Sequence, residues 1–128
     1  MFFKTIIQGR LEFGTQKSYG KVTRMFQVRV ENYYKTDVIF KFEDIFREED
    51  FSLEIPRYVG QVSEKAFKTT TNLLGYCAQF AIAGSIRAWM INEGEIMHFE
   101  TLEPVSDKGA VQSFVKGRSL VKVKGKES

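Results

Sequence analysis

The fold of this chain is decided between Ala66 and Leu102, which read AFKTTTNLLGYCAQFAIAGSIRAWMINEGEIMHFETL. The first half of this stretch repeats apolar residues every three or four positions, as an amphipathic helix does. Ser63 is suited to cap the start of such a helix, Glu64 lies favourably for its dipole, and Gly84 is suited to end it. We therefore predict a central helix that begins at Ser63 and is capped by Gly84.

A tight hairpin is predicted to follow this helix. Two apolar runs, residues 86–91 and 95–102, are separated by Asn92-Glu93-Gly94, and a short loop containing Asn and Gly is a strong hairpin signal. If Ile91 opposes Glu95, four further pairs follow: Trp89–Met97 and Arg87–Phe99 on one face, and Met90–Ile96 and Ala88–His98 on the other. Both faces then carry large apolar side chains, so we expect the hairpin to be central in a sheet or covered by a partner chain.

Two strands and a second amphipathic helix are predicted upstream. Residues 2–13 alternate between apolar and polar side chains, which indicates a half-buried strand, and Phe51–Ile55 repeats the pattern. Pro56 has no amide hydrogen, so we expect it to end this strand, to lie at an edge or to mark a bulge. Between the strands, Ser18 is predicted to cap a helix that ends near Thr36. Residues 38–51 are compatible with a short strand or with a helical turn.

The predicted order of elements is β-α-β-α-β-β-α, which indicates an α+β fold with a mainly antiparallel sheet and helices packed on it. A length of 128 residues with 43% hydrophobic residues suits one compact domain. We assign residues 1–105 to this α+β domain. Residues 106–128 are predicted to form a C-terminal helix and basic tail that packs on the domain or leads into a following one.

Cysteine content and hydropathy restrict the cellular setting. Cys77 is the only cysteine, which excludes an internal disulfide and fits a reducing compartment. The N-terminus lacks the pattern of a secretory signal, and no apolar run is long enough to cross a bilayer. The formal net charge of +3 permits contact with nucleic acid without requiring it. We therefore expect a cytoplasmic protein that does not associate with membranes.

Few residues are candidates for catalysis. Cys77 and His98 are the sole possible thiol–imidazole pair, but Cys77 falls late in the helix, on the face that carries Leu73 and Leu74, which favours a small buried hydrophobe. One cysteine and one histidine do not form a zinc site without several carboxylates. The glycine spacing does not match a phosphate-binding loop. No catalytic residue, metal or cofactor is predicted, and the sequence does not favour an enzyme.

An excess of apolar residues leads to the main functional hypothesis. Aromatic residues make up 14% of the chain, and burying two apolar hairpin faces against another chain would account for them. We predict a non-enzymatic domain that acts by binding a protein partner or by self-association as a homodimer. The predicted interface residues are Trp89, Ile91, Met97 and Phe99. Alternatively, residues 38–55 fold over the hairpin and absorb the excess.

Two other classes of function remain open at this point. A small-ligand-binding domain or an enzyme would have a pocket between the sheet and the central helix, lined by Tyr76, Cys77, Phe80, Trp89 and His98. A nucleic-acid-binding protein would use the basic helices, which carry Lys17, Lys21, Arg24 and Arg29 near the N-terminus and Lys116, Arg118, Lys122, Lys124 and Lys126 near the C-terminus. Nucleic acid is the less favoured partner, because acidic residues are nearly as dense.

The C-terminal end carries a family resemblance. Residues 110–128, AVQSFVKGRSLVKVKGKES, place an aromatic, a glycine, a large apolar residue, a second glycine and a glutamate in order, at Phe114, Gly117, Leu120, Gly125 and Glu127. This order resembles the first helix of a tetratricopeptide repeat, with a glycine-to-glycine spacing one residue longer than the family's usual one. The resemblance implies that the chain is the N-terminal module of a longer scaffold protein that binds protein partners.

Overall fold

A computed structural model describes residues 1–34 and 37–105 and confirms the α+β fold. Within these residues, five strands form one antiparallel sheet in the order β2-β3-β1-β4-β5. The strands are β1 (Phe2–Glu12), β2 (Phe46–Arg47), β3 (Ser52–Ser63), β4 (Ala83–Asn92) and β5 (Glu95–Leu102). The helices are α1 (Gln16–Arg29), α2 (Phe42–Ile45) and α3 (Glu64–Ala78). The predicted last helix and basic tail, residues 106–128, lie outside the described residues.

Strand β1 is the centre of the sheet. It pairs with β3 on one side and with β4 on the other. Its alternating pattern sends Thr5, Ile7 and Leu11 to one face, where all three are fully buried. Because β1 is bonded along both edges, its apolar side chains lie in the middle of the hydrophobic core.

The helices cover this one face of the sheet. Helix α1 contributes Tyr19, Val22 and Phe26 to the core. The longer α3 contributes the residues that its helical period predicts, among them Phe67, Leu73, Leu74 and Cys77. The predicted start of α3 is confirmed, because the hydroxyl of Ser63 accepts a hydrogen bond of 3.0 Å from the amide of Ala66.

The helix boundaries differ from the prediction at two places. Helix α3 ends at Ala78, and Gly84 lies in β4 rather than at a helix cap. The residues after Ala78 join the sheet instead of continuing the helix, since the amide of Ile82 donates to the carbonyl of Glu12 on β1 at 2.8 Å. The cap of α1 is Thr15, whose hydroxyl accepts from the amide of Ser18, so Ser18 is the donor and not the cap. A π-helical turn, Val30–Tyr34, continues α1.

The segment around Pro56 also differs from the prediction. Strand β3 continues through Pro56 to Ser63, so the prediction that proline ends the strand is wrong. The edge and bulge alternatives are confirmed. Strand β2 pairs with only two residues of β3, and the register between β1 and β3 shifts between Ile7 and Gly9, opposite Pro56. A proline is tolerated there because no neighbouring strand of the described chain needs its amide hydrogen.

The hairpin forms as predicted, but with another register. Asn92 opposes Glu95, so the turn has two residues, Glu93 and Gly94, whose φ angles are +53° and +82°. Positive φ at both positions is the signature of a type I′ turn. The observed pairs are Ile91–Ile96, Met90–His98, Trp89–Phe99, Ala88–Glu100 and Arg87–Thr101, with a bulge at Met97. The predicted pairs are wrong because they require a three-residue turn, and because the bulge has no sequence signal. Strand β4 lies inside the sheet and β5 at its edge.

Gly9 gives a test of the β1–β4 contact. Its φ angle is +145°, and a Cβ at this position would collide with the carbonyl oxygen of Ser85 on β4. We expect Gly9→Ala to lower the free energy of unfolding by about 2 kcal/mol or more, because of backbone strain and this collision. Gly20→Ala in α1 is the matched control. A Cβ there meets nothing within 4 Å, so alanine should stabilise the helix by about 0.5–1 kcal/mol. Chemical denaturation measures both, and a Gly9→Ala variant as stable as the parent would contradict the geometry.

Candidate functional site

The two faces of the sheet have different surroundings. The inward face packs against α1 and α3, whereas no helix of the described residues covers the opposite face, which we call the open face. Large apolar side chains nevertheless project from it. Phe2, Val59, Ile96 and Phe99 are 67%, 52%, 61% and 40% exposed. An uncovered apolar surface on a sheet is a common feature of interaction sites.

Apolar residues of the open face are aligned across the sheet. The strand register places Val59 of β3, Ile6 of β1, Trp89 of β4 and Phe99 of β5 side by side. We call these four residues the apolar row. Four neighbouring strands span roughly 14 Å, since adjacent strands lie about 4.8 Å apart. The rings of Trp89 and Phe99 are in contact, with centroids 5.6 Å apart and planes inclined by 42°. Ile91 and Ile96 form a second apolar pair beside the row.

The structure brings together three of the four predicted interface residues. Trp89, Ile91 and Phe99 share the open face, while Met97 occupies the bulge and packs against the hydrophobic core. Sequence reasoning missed Ile6 and Val59. Ile6 had a signal, because it is an apolar residue on the more polar side of an alternating strand. Val59 had none, since β3 was not expected to continue beyond Pro56.

Charged residues border the apolar row on one side. Arg57 donates a hydrogen bond of 2.8 Å to the side chain of Gln8, and Gln8 opposes Arg87 on the neighbouring strand. Next to them lies a shallow depression of about 310 Å³, lined by Gln8, Gly9, Pro56, Ser85 and Arg87. The row therefore has an apolar centre and an arginine-containing rim, which is the usual layout of a protein interface.

A network of ion pairs lies beyond this rim. Arg10 contacts Asp50 at 2.9 Å and Glu12 at 3.3 Å, and it lies 3.6 Å from Glu54. Hydrogen bonds from the hydroxyl of Ser52 and from Arg10 lower the pKa of Asp50. The network joins β1 to the turn before β3. Its charges already have partners, so it serves the fold and is a poor candidate for a ligand site.

The residues of the alternative pocket do not line a common cavity. Cys77 is fully buried, and burial raises the pKa of its thiol. Tyr76 is 38% exposed, and the guanidinium of Arg29 lies 4.2 Å from the centre of its ring. Phe80 is partly buried against the core. Trp89 lies on the open face, whereas His98 lies on the opposite face of the sheet.

His98 connects the edge strand to the start of α3. Its Nε2 donates to the carboxylate of Glu64 at 2.5 Å, and its ring stacks on Phe67 with centroids 5.7 Å apart and planes inclined by 19°. The hydrogen bond from His98 is the main reason that the pKa of Glu64 is lowered. The contacts of this histidine thus hold β5 against the helix layer.

The described residues hold neither a metal-binding cluster nor a membrane-spanning helix. Among residues 1–34 and 37–105, no group of three or more His, Cys, Asp or Glu residues is placed to hold a metal ion. Within the same ranges, no helix is long and apolar enough to cross a bilayer. The nucleic-acid hypothesis uses two basic helices, and the first of them, α1, lies within the described residues. Its Lys17, Lys21 and Arg24 are exposed.

Comparison with known proteins assigns no family, since no family model, no curated protein and no solved structure matches the chain. The resemblance to a tetratricopeptide repeat falls on residues 110–128, which lie outside the described residues, and it stays a prediction. So does the division of the chain at residue 105.

The burial of Cys77 predicts a thiol that does not react in the folded protein. Only a thiolate attacks a disulfide reagent such as Ellman's reagent, and both burial and the raised pKa suppress the thiolate here. We expect no colour development from the native chain within minutes, and one equivalent of thiol after addition of guanidinium chloride. Rapid reaction of the native chain would contradict the burial of Cys77 and would restore this thiol as a candidate for catalysis.

The contact between His98 and Glu64 predicts a component of acid sensitivity. A carboxylate whose pKa is lower in the folded than in the unfolded chain stabilises the fold above its unfolded pKa, near 4.5 for Glu64. This stabilisation is lost as the pH falls through the lower, folded pKa. Glu64→Gln should therefore lower the Tm at pH 6 and reduce the fall in Tm between pH 5 and pH 3. Glu95→Gln, at an exposed position of the hairpin that carries His98, is the control. Equal pH profiles for Glu64→Gln and the parent chain would refute the contribution.

Proposed function

We propose that this chain is a self-association domain, which binds a second copy of itself along the β5 side of its sheet. The observation that carries this proposal is the apolar row, which crosses four strands, is covered by no described helix and ends at Phe99 on the edge strand. Contiguous apolar surface on a sheet face often marks a site of contact with another chain. A second copy placed beside β5 would continue the row instead of ending it.

The two edges of the sheet support this choice of side. At the β3 edge, Pro56 lacks an amide hydrogen and a bulge interrupts the register. There Phe40 also packs on Tyr58, with ring centroids 5.3 Å apart. Proline, bulges and covering loops are the devices that prevent strands from pairing with other chains. The β3 edge is therefore poorly suited to association.

The β5 edge has weaker protection. Residues 95–102 contain no proline, lysine or arginine, and no strand of the described chain pairs with the outer side of β5. The bulge at Met97 lies near the hairpin turn, so the strand from His98 to Leu102 is regular. An edge of this kind offers unpaired backbone groups to another strand, as in recognition by strand addition.

Substitution of the aromatic pair tests this function. We expect the parent chain to dimerise with rising concentration in sedimentation equilibrium or light scattering. Trp89→Ala with Phe99→Ala should raise the dimer dissociation constant at least thirtyfold, equivalent to about 2 kcal/mol, because buried aromatic anchors dominate interfaces.

Tyr76→Ala is the matched control for this experiment. It removes an exposed aromatic residue from α3, away from the open face, and should leave the dissociation constant unchanged. A parent chain that stays monomeric at several hundred micromolar would overturn self-association. Equal weakening by Tyr76→Ala would show that the open face is not the contact.

A further inference from the structure

We infer that β5 pairs antiparallel with β5 of the second copy about a two-fold axis at Phe99, so that the two sheets become one. This inference rests on the proposed self-association and specifies its geometry. It follows from the face on which each β5 side chain lies, together with the symmetry of a homodimer.

Symmetry leaves few possible registers. In a continuous antiparallel sheet, residues directly opposite each other point to the same face. A two-fold axis perpendicular to the sheet therefore passes beside one residue, which faces its own copy. Within the regular part of β5, the centres that leave most of the strand paired are His98, Phe99 and Glu100.

Side-chain chemistry selects among these three centres. An axis at Glu100 would place two carboxylates opposite each other, and like charges in this position are destabilising. An axis at His98 would place Phe99 opposite the partner's Met97, which packs into the core from the bulge and not on the open face. Neither register gives complementary pairs on both faces.

An axis at Phe99 gives complementary pairs on both faces. On the open face the two Phe99 rings meet, and the apolar row then continues through both copies across eight strands. On the helix face His98 of each copy lies opposite Glu100 of the other. The Nε2 of His98 is bonded to Glu64. This register thus places a basic side chain opposite an acidic one, and cross-strand pairs of this kind are stabilising.

Disulfide cross-linking tests the register. In strands paired about Phe99, the two Phe99 Cα atoms lie about 4.5–5.5 Å apart, within the range that a disulfide spans. Phe99→Cys should cross-link to a dimer under mild oxidation, at a protein concentration well above the dissociation constant. Thr101→Cys is the matched control on the same strand and face. In the dimer the two Cα atoms of residue 101 would lie about 14 Å apart, too far for a disulfide. The native Cys77 is buried, so the parent chain should not cross-link.

A mixing experiment tests the same register without changing Phe99. Residue 98 of one copy lies opposite residue 100 of the other, so chains with His98→Cys and chains with Glu100→Cys should cross-link when mixed. Each variant alone should not, because identical residues would then be about 8 Å apart at Cα. The mixed dimer also keeps one pair of His98 with Glu100.

Charge reversal tests the register through the equilibrium dissociation constant, without a covalent cross-link. Glu100→Lys places a cation opposite His98 and should raise the dissociation constant about tenfold. Glu93→Lys makes the same change in charge at the turn, outside the paired segment, and should have no such effect.

The outcomes separate the register from the function. A monomeric parent chain would overturn both. A dimeric parent chain whose Phe99→Cys variant and mixed variants fail to cross-link would overturn this register and leave self-association standing. Cross-linking of Thr101→Cys as fast as Phe99→Cys would have the same meaning.

Discussion

The antiparallel pairing of β1 with both β3 and β4 is the constraint on which the rest of the structure depends. Without β1 the sheet would separate into the β2–β3 pair and the β4–β5 hairpin. Two-stranded ribbons of this kind are marginally stable in water. Strand β1 also carries Thr5, Ile7 and Leu11 into the centre of the core. The close approach of Gly9 to Ser85 shows how tightly β1 and β4 are joined.

Because the described helices lie on one face of this sheet, none of them covers the apolar row on the other face. Burying apolar surface contributes about 25 cal/mol per Å², so 100 Å² is worth about 2.5 kcal/mol. Association costs at least about 4 kcal/mol in lost freedom of motion. Burial of the aromatic pair alone therefore does not offset the cost of association. Backbone hydrogen bonds along the edge strand would supply further stabilisation. For this reason an apolar row that reaches the β5 edge is more significant than scattered exposed side chains.

The rarest residues of the chain mainly support the fold. Cys77 fills space in the core. His98 links β5 to α3 through Glu64 and Phe67. Trp89 differs from them, since it is half-buried beside Phe99 on the uncovered side of the sheet. Because a large aromatic side chain is costly to leave in water and no described helix covers it, Trp89 is central to the proposed contact surface.

The sequence by itself determined the elements whose signals are local: the alternation in β1, the cap of α3 at Ser63, the turn at Gly94 and the α+β class. It also identified three residues of the open face, Trp89, Ile91 and Phe99. Only the tertiary structure decided the end of α3, the continuation of β3 through Pro56, the bulge at Met97 and the inclusion of Ile6 and Val59. These features depend on hydrogen bonds and packing between distant segments. The alignment of four strands into one apolar row is a property of their register, and no periodicity within a single segment can encode it.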